Sequence, residues 1–223
     1  MNKIKLLLTS AGFRKDNQSE WRKEIVDGFN KLLGKDPKGL KCAFIPTAAD
    51  PEEDKWFVGV ARDEIVGLEM ELVEVDLKNP DKSAIKEKIE QSDVIYVNGG
   101  NTFYLLDWVR KSGFADYLKG LLEQGKVYFG VSAGSVIVGP SINISGWGPT
   151  GDHNTINLID TTGLNFVPFA ISPHFTEAER SVLEEKLGEV SYPIVALTDE
   201  QAMLINGETQ ELIGEGAKIN LHP

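Results

Sequence analysis

A chain of 223 residues, 41% of them hydrophobic and 26% charged, has the composition of an ordinary globular protein and is long enough to bury a sizeable core. Asp and Glu number 34 against 23 Lys and Arg, and the net charge of −11 repels a polyanion over most of the surface, so nucleic acid is excluded as the expected partner. No stretch reaches the roughly 20 apolar residues of a membrane span, and the single cysteine, Cys42, allows no intrachain disulfide. A cytoplasmic protein with no membrane partner is expected.

The first nine residues, MNKIKLLLT, combine a basic start with an apolar run too short for a signal peptide, and they read as a first strand. Trp21, Ile25, Phe29, Leu32 and Leu33 then recur at helical spacing. Lys41 to Ile45 predicts a second strand, in which Cys42 acts as a small buried hydrophobe, and it ends in the small-residue turn Pro46 to Asp50. Pro51 can open the next helix, with Trp56, Val60, Ala61, Ile65 and Leu68 as its apolar face, and Leu72 to Asp76 returns as a third strand. Ser83 is placed to cap a helix running through Gln91, and Val94 to Val97 predicts a strand buried on both faces.

Asn98-Gly99-Gly100-Asn101-Thr102-Phe103 follows, a glycine turn with Asn101 or Thr102 capping a helix from Phe103. The segment through Gln124 holds two helical stretches broken at Ser112-Gly113. Val127-Tyr128-Phe129 then leads into Gly130-Val131-Ser132-Ala133-Gly134, a G-x-S-x-G turn after a strand, with a short apolar helix behind it ending by Pro140. This is the pattern of a nucleophile elbow: the glycines admit a cramped turn that points the serine hydroxyl outward, near the free N–H groups of the next helix. With the elbow on the following strand, the glycine turn becomes a second source of N–H groups, as an oxyanion hole requires.

Residues 141–168 lose helical period and read as a long polar loop of the kind that is usually functional, with Trp147 either lining a pocket or packing on its own loop. Phe169 to Ser172 forms a strand ending in Pro173-His174-Phe175-Thr176, and Glu177 to Leu187 a helix. Short strands follow at Ile194 to Leu197, Ala202 to Ile205, Glu211 to Ile213 and Lys218 to Leu221, the second and third joined by an Asn206-Gly207 hairpin turn. Strand and helix alternate over the first two thirds, which predicts an α/β fold with a mostly parallel sheet flanked by helices on both faces and short β elements at the C-terminus. With no internal repeat or linker, residues 1–223 are expected to form one domain.

A serine nucleophile needs a base within hydrogen-bond reach and a third group to orient it. Three histidines are available. His222 sits at the C-terminal end and reads as solvated, His153 lies in the polar loop, and His174 has the rigid setting, which makes it the first choice and His153 the reserve. Asp152 is the first choice for the third member and Asp199 the second. Scattered histidines without a cysteine cluster offer no metal ligand set, and no cofactor is implied.

The Asn98 to Phe103 turn, the Gly130 to Gly134 elbow and the Pro173-His174-Phe175-Thr176 motif, in that order, resemble the peptidase E (aspartyl dipeptidase) and cyanophycinase family of serine peptidases, over nearly the whole chain. The resemblance implies a fold similar to class I glutamine amidotransferase domains, Ser132 as nucleophile, His174 as base, and Gly100 and Ala133 as donors of oxyanion-hole N–H groups. It also aligns Asp152 with the family's triad aspartate when counted back from the histidine motif. Asn101 and Arg180 become candidate substrate-binding residues. In peptidase E a longer segment after the histidine carries an arginine that pairs with the substrate aspartate; here Arg180 follows closely and is flanked by Glu177 and Glu179, which weakens aspartyl specificity.

The expected activity is therefore a serine peptidase cutting short peptides, an exopeptidase that removes an N-terminal residue through an acyl-enzyme. An esterase or thioesterase with the same elbow, and a non-catalytic protein that binds an anion or metabolite at the glycine turn, are the alternatives. A small peptide is the expected partner; a homodimer is compatible with the sequence, which carries no signal on oligomeric state.

Overall fold

The alternating apolar strands and amphipathic helices assemble, in a computed structural model that describes residues 4–15 and 19–223, into a seven-stranded and a three-stranded sheet. Residues 1–3 of the expected first strand lie outside the described residues. In chain order the elements are β1 (Lys5–Thr9), α1 (Lys23–Leu33), β2 (Lys41–Ile45), α2 (Trp56–Gly67), β3 (Glu71–Glu74), α3 (Lys82–Glu90), β4 (Val94–Val97), α4 (Thr102–Lys111), α5 (Phe114–Glu123) and β5 (Val127–Val131). There follow α6 (Ala133–Val136), β6 (Ala170–Ser172), α7 (Arg180–Lys186), β7 (Ile194–Ala196), β8 (Gln201–Asn206), β9 (Thr209–Gly214) and β10 (Ile219–Leu221).

The large sheet has the order β3-β2-β4-β5-β1-β8-β9; the first five are parallel, and β8 and β9 are added antiparallel at the β1 edge. Side chains alternate between two cores, as a strand's two-residue period requires. Leu6, Leu8, Ala43, Ile45, Ile95, Val97 and Tyr128 pack under α3 to α6, while Leu7, Cys42, Phe44, Tyr96 and Phe129 pack under α1 and α2. The sheet is thus covered by helices on both faces, as expected.

Local departures from the expected elements have local causes. Asp81, not Ser83, caps α3, its carboxylate accepting from the N–H groups of Ser83 and Ala84. Asn101 caps α4 by accepting from Tyr104 N–H at 3.0 Å. The helix expected from Pro51 starts at Trp56, and its buried face is Val58, Ala61, Glu64 and Ile65, which leaves Trp56 58% exposed. In the β8–β9 hairpin Asn206 pairs with Thr209, so Gly207 and Glu208 form the loop.

The small sheet, in the order β10-β7-β6, was not anticipated as a separate unit: β6 and β7 are parallel and carry their carboxyl ends side by side next to the elbow. Among the described residues no helix is long and apolar enough to cross a membrane.

Candidate active site

β5 ends in a turn held in an unusual backbone conformation. Ser132 has φ 48° and ψ −112°, a region that costs a residue with a side chain about 1–3 kcal/mol and persists only where the surroundings enforce it. The flanking glycines are required by close approach. A Cβ on Gly130 would stand 2.7 Å from the Gly134 carbonyl oxygen, and one on Gly134 would run into the carbonyl of Val97. Ser132 N–H donates to the Thr9 carbonyl at 3.0 Å, and the Ser135 hydroxyl reaches the same carbonyl at 2.7 Å, which stitches the turn to the end of β1.

His174 follows β6 and also has a left-handed backbone, φ 57°. Its Nε2 lies 3.0 Å from Ser132 Oγ and its Nδ1 2.7 Å from Asp199 Oδ1. Asp199 stands in the turn between β7 and β8. Burial works to raise its carboxyl, but hydrogen bonds from His174 and Ser10 and the charges of His174 and Arg22 overcome this and hold it below the usual carboxylate range. Ser132, His174 and Asp199 therefore form a continuous hydrogen-bonded line.

Asp152, the first choice from sequence for the third position, does not join that line. Its Oδ2 accepts the Thr102 N–H at 2.8 Å, at the start of α4. The loop 141–168 lays Asp152 over that helix N-terminus, whose free N–H groups attract a carboxylate, whereas β7 delivers Asp199 directly beside His174. Burial pushes the Asp152 carboxyl upward against the Thr102 hydrogen bonds and the charges of His174 and His153. His153 is exposed and His222 likewise.

Ala133 follows Ser132 in the chain, and Gly100 (φ 127°) lines the same cavity as Ser132. Gly100 N–H meets no acceptor among the described residues, and Ala133, as the first residue of α6, has no intrahelical one. Two expected substrate-binding side chains are otherwise engaged. The Asn101 carboxamide caps α4 and donates to the His153 carbonyl at 2.9 Å. Arg180 pairs with Glu177, just before α7, at 2.6 Å and with Glu184 of α7 at 3.8 Å, the i−3 and i+4 neighbours, and is not among the residues that line the cavity. Trp147 packs against the core and does not line the cavity.

The cavity beside Ser132 has a volume of about 360 Å³. Phe57, Val60 and Ala61 of α2 form an apolar wall, and Arg14, Lys15, Glu52 and Asp152 bring charge of both signs. At one side lies Glu64, 1% exposed, whose Oε1 accepts the N–H groups of Phe13 and Arg14 at 2.8 and 2.7 Å and whose Oε2 accepts the Tyr96 hydroxyl at 2.8 Å. Sequence reasoning missed Glu64 because it falls on the buried face of a helix, and missed Ser10 because a serine after a strand reads as a turn former. The position of Ser10 at the carboxyl end of a central strand was the available signal.

A serine at a strained strand-to-helix turn of a parallel sheet, bonded to a histidine that is bonded to an aspartate, is the arrangement of a serine hydrolase. The model of peptidase family S51 matches residues 6–213, and the chain belongs to that family; it is a serine-type peptidase. It is 34% identical over 196 residues to an uncharacterized peptidase of Pasteurella multocida, covering 86% of this chain and 93% of that one. It is 31% identical over 189 residues to peptidase E of Actinobacillus pleuropneumoniae serotype 5b, covering 80% and 77%. The solved structure of a peptidase E protein from Listeria monocytogenes superposes with a TM-score of 0.80 at 27% identity, covering 96% of this chain and all of that one.

Proposed function

We propose that the chain is an exopeptidase that releases the N-terminal residue of a short peptide through an acyl-enzyme on Ser132. The observation that carries this reading is the hydrogen-bonded line from Ser132 Oγ through His174 to Asp199 Oδ1. Ser132 Oγ attacks the scissile carbonyl while His174 Nε2 takes its proton, and Asp199 holds the ring through Nδ1–H. The oxyanion is received by the N–H groups of Gly100 and Ala133. His174 then hands the proton to the leaving amine, and water repeats the steps to free the acyl group.

The exopeptidase part rests on the cavity. Its volume suits a short peptide, and Asp152, a half-buried carboxylate in its wall, is a partner for the α-ammonium group that only a chain terminus carries. Arg14 and Lys15 line the same cavity, and any preference for an N-terminal aspartate would come from them instead of Arg180.

The test is a panel of di- and tripeptides differing in the N-terminal residue, each with a free and an acetylated terminus, assayed on the wild type and Ser132→Ala. Cleavage of free but not acetylated peptides, lost in Ser132→Ala, is the expected result. Equal cleavage of both forms would overturn the exopeptidase reading. Turnover of simple esters without any peptide cleavage would move the chain to the esterase alternative.

A further inference from the structure

The proposed triad leaves one buried polar group beside it without a role. Ser10, immediately after β1, is 0% exposed. Its hydroxyl donates to Asp199 Oδ1 at 2.9 Å and accepts the backbone N–H of His174 at 2.6 Å, and its oxygen stands 3.5 Å from His174 Nδ1. A serine hydroxyl has one proton to give, so donation to Asp199 fixes its orientation and turns its lone pairs toward His174. One side chain thus grips both the acid and the base.

His174 needs such a grip. Its φ of 57° is uncommon for a residue with a side chain and relaxes unless neighbours over-determine it. Ser10 bonds the very N–H whose direction that φ sets, while Phe175 N–H donates to the Leu197 carbonyl at 2.9 Å on the other side. The residue before Ser10 does the same for the nucleophile, since the Thr9 carbonyl accepts Ser132 N–H. The end of β1 therefore ties the elbow of the large sheet to the base and acid carried by the small sheet.

We infer that Ser10 is a positioning residue of the catalytic line, holding the imidazole of His174 and the carboxylate of Asp199 in register with Ser132. This inference rests on the proposed triad, and the experiment separates the two. The measurement is the rate at which a fluorophosphonate probe labels Ser132, which needs the serine and its base but no peptide. Wild type, Ser10→Ala, Ser10→Cys (nearly the same volume, a weaker donor) and Ser10→Thr (hydroxyl retained) are compared, with thermal melts as the control for folding.

For Ser10→Ala and Ser10→Cys the maximal labelling rate is expected to fall roughly 10- to 100-fold while the probe's half-saturating concentration stays within about twofold, and Ser10→Thr is expected to recover most of the rate. The acidic limb of the rate–pH profile should move to higher pH in Ser10→Ala, because Asp199 keeps only His174 and the charge of Arg22, itself paired with Glu200 at 3.2 Å, to favour its ionised form. A folded Ser10→Cys that labels at the wild-type rate with an unchanged profile overturns the role of Ser10. Absence of labelling in the wild type overturns the nucleophile assignment beneath it.

Discussion

His174 Nδ1 and Asp199 Oδ1 meet at 2.7 Å at the carboxyl ends of two adjacent parallel strands of the small sheet, β6 and β7, while Ser132, 3.0 Å from His174 Nε2, follows β5 of the large one. The proposed base and the acid proposed to orient it thus share one sheet. The prediction is a division of labour between the two aspartates. Asp199→Asn should lower kcat by roughly 10³–10⁴-fold with little change in KM, because the imidazole loses the partner that fixes its tautomer. Asp152→Asn should act mainly on KM, raising it about 10- to 50-fold, as expected when a charged hydrogen bond to the bound substrate is lost. Steady-state kinetics on a free-amine dipeptide reads both, and the reverse pattern would return the triad position to Asp152.

The strain at Ser132 gives a second expectation. Glycine adopts φ 48° freely, so Ser132→Gly should abolish activity and yet raise the unfolding free energy by about 1 kcal/mol. Ser132→Ala keeps a Cβ and gains nothing of the kind. Urea titrations of the two inactive variants isolate the backbone contribution, since both lack the hydroxyl; a Ser132→Gly midpoint below that of Ser132→Ala, the order that glycine's unfolded-state entropy alone gives, would show that the turn is unstrained.

Arg180 separates a surface ion pair from a specificity device. Its guanidinium is held by Glu177 and Glu184 and lies over the Phe175 ring at 5.7 Å. Arg180→Ala should leave kcat/KM for Asp-X and Ala-X dipeptides within about twofold of the wild type, because exposed local ion pairs contribute little. A selective loss for Asp-X would mean that α7 reaches the substrate after all.

What the chain discloses before folding follows from how local each signal is. β2 and β4 were legible residue for residue because their apolar runs are bounded by turn formers, and the elbow because glycine, serine and glycine must stand at fixed offsets on one strand-to-helix turn. The acid was ambiguous for the opposite reason. Asp152 and Asp199 lie 22 and 25 residues either side of His174, and only the pairing of β6 with β7 sets Asp199 beside it. Ser10 is farther still, 164 residues from the histidine it grips, and nothing in its own surroundings distinguishes it from a turn serine. Glu64 was hidden because helical spacing was read with Trp56 and Val60 on the inner face, whereas the helix turns Val58, Ala61, Glu64 and Ile65 inward.

Glu64 makes the folded state sensitive to pH. Burial raises its carboxyl from the ordinary 4.5 to about 7, against the Tyr96 hydroxyl, the N–H groups of Arg14 and Phe13 and the charge of Arg22. Between those two values the native chain holds a proton that the unfolded chain has released. The stabilisation is therefore complete below about pH 4.5 and is lost as pH rises through about 7, a total on the order of 3 kcal/mol. Gln in its place keeps the oxygen that accepts the two N–H groups and carries no ionisation cost, and its amide can donate to Tyr96 in exchange. Glu64→Gln should match the wild type at pH 4.5 and exceed it by a few kcal/mol at pH 8, read from urea unfolding at the two pH values. The other titrating groups are common to both proteins, so they cancel in the difference. A difference that does not change with pH would show that Glu64 stays in one protonation state throughout, and that its hydrogen bonds, not its burial, set its behaviour.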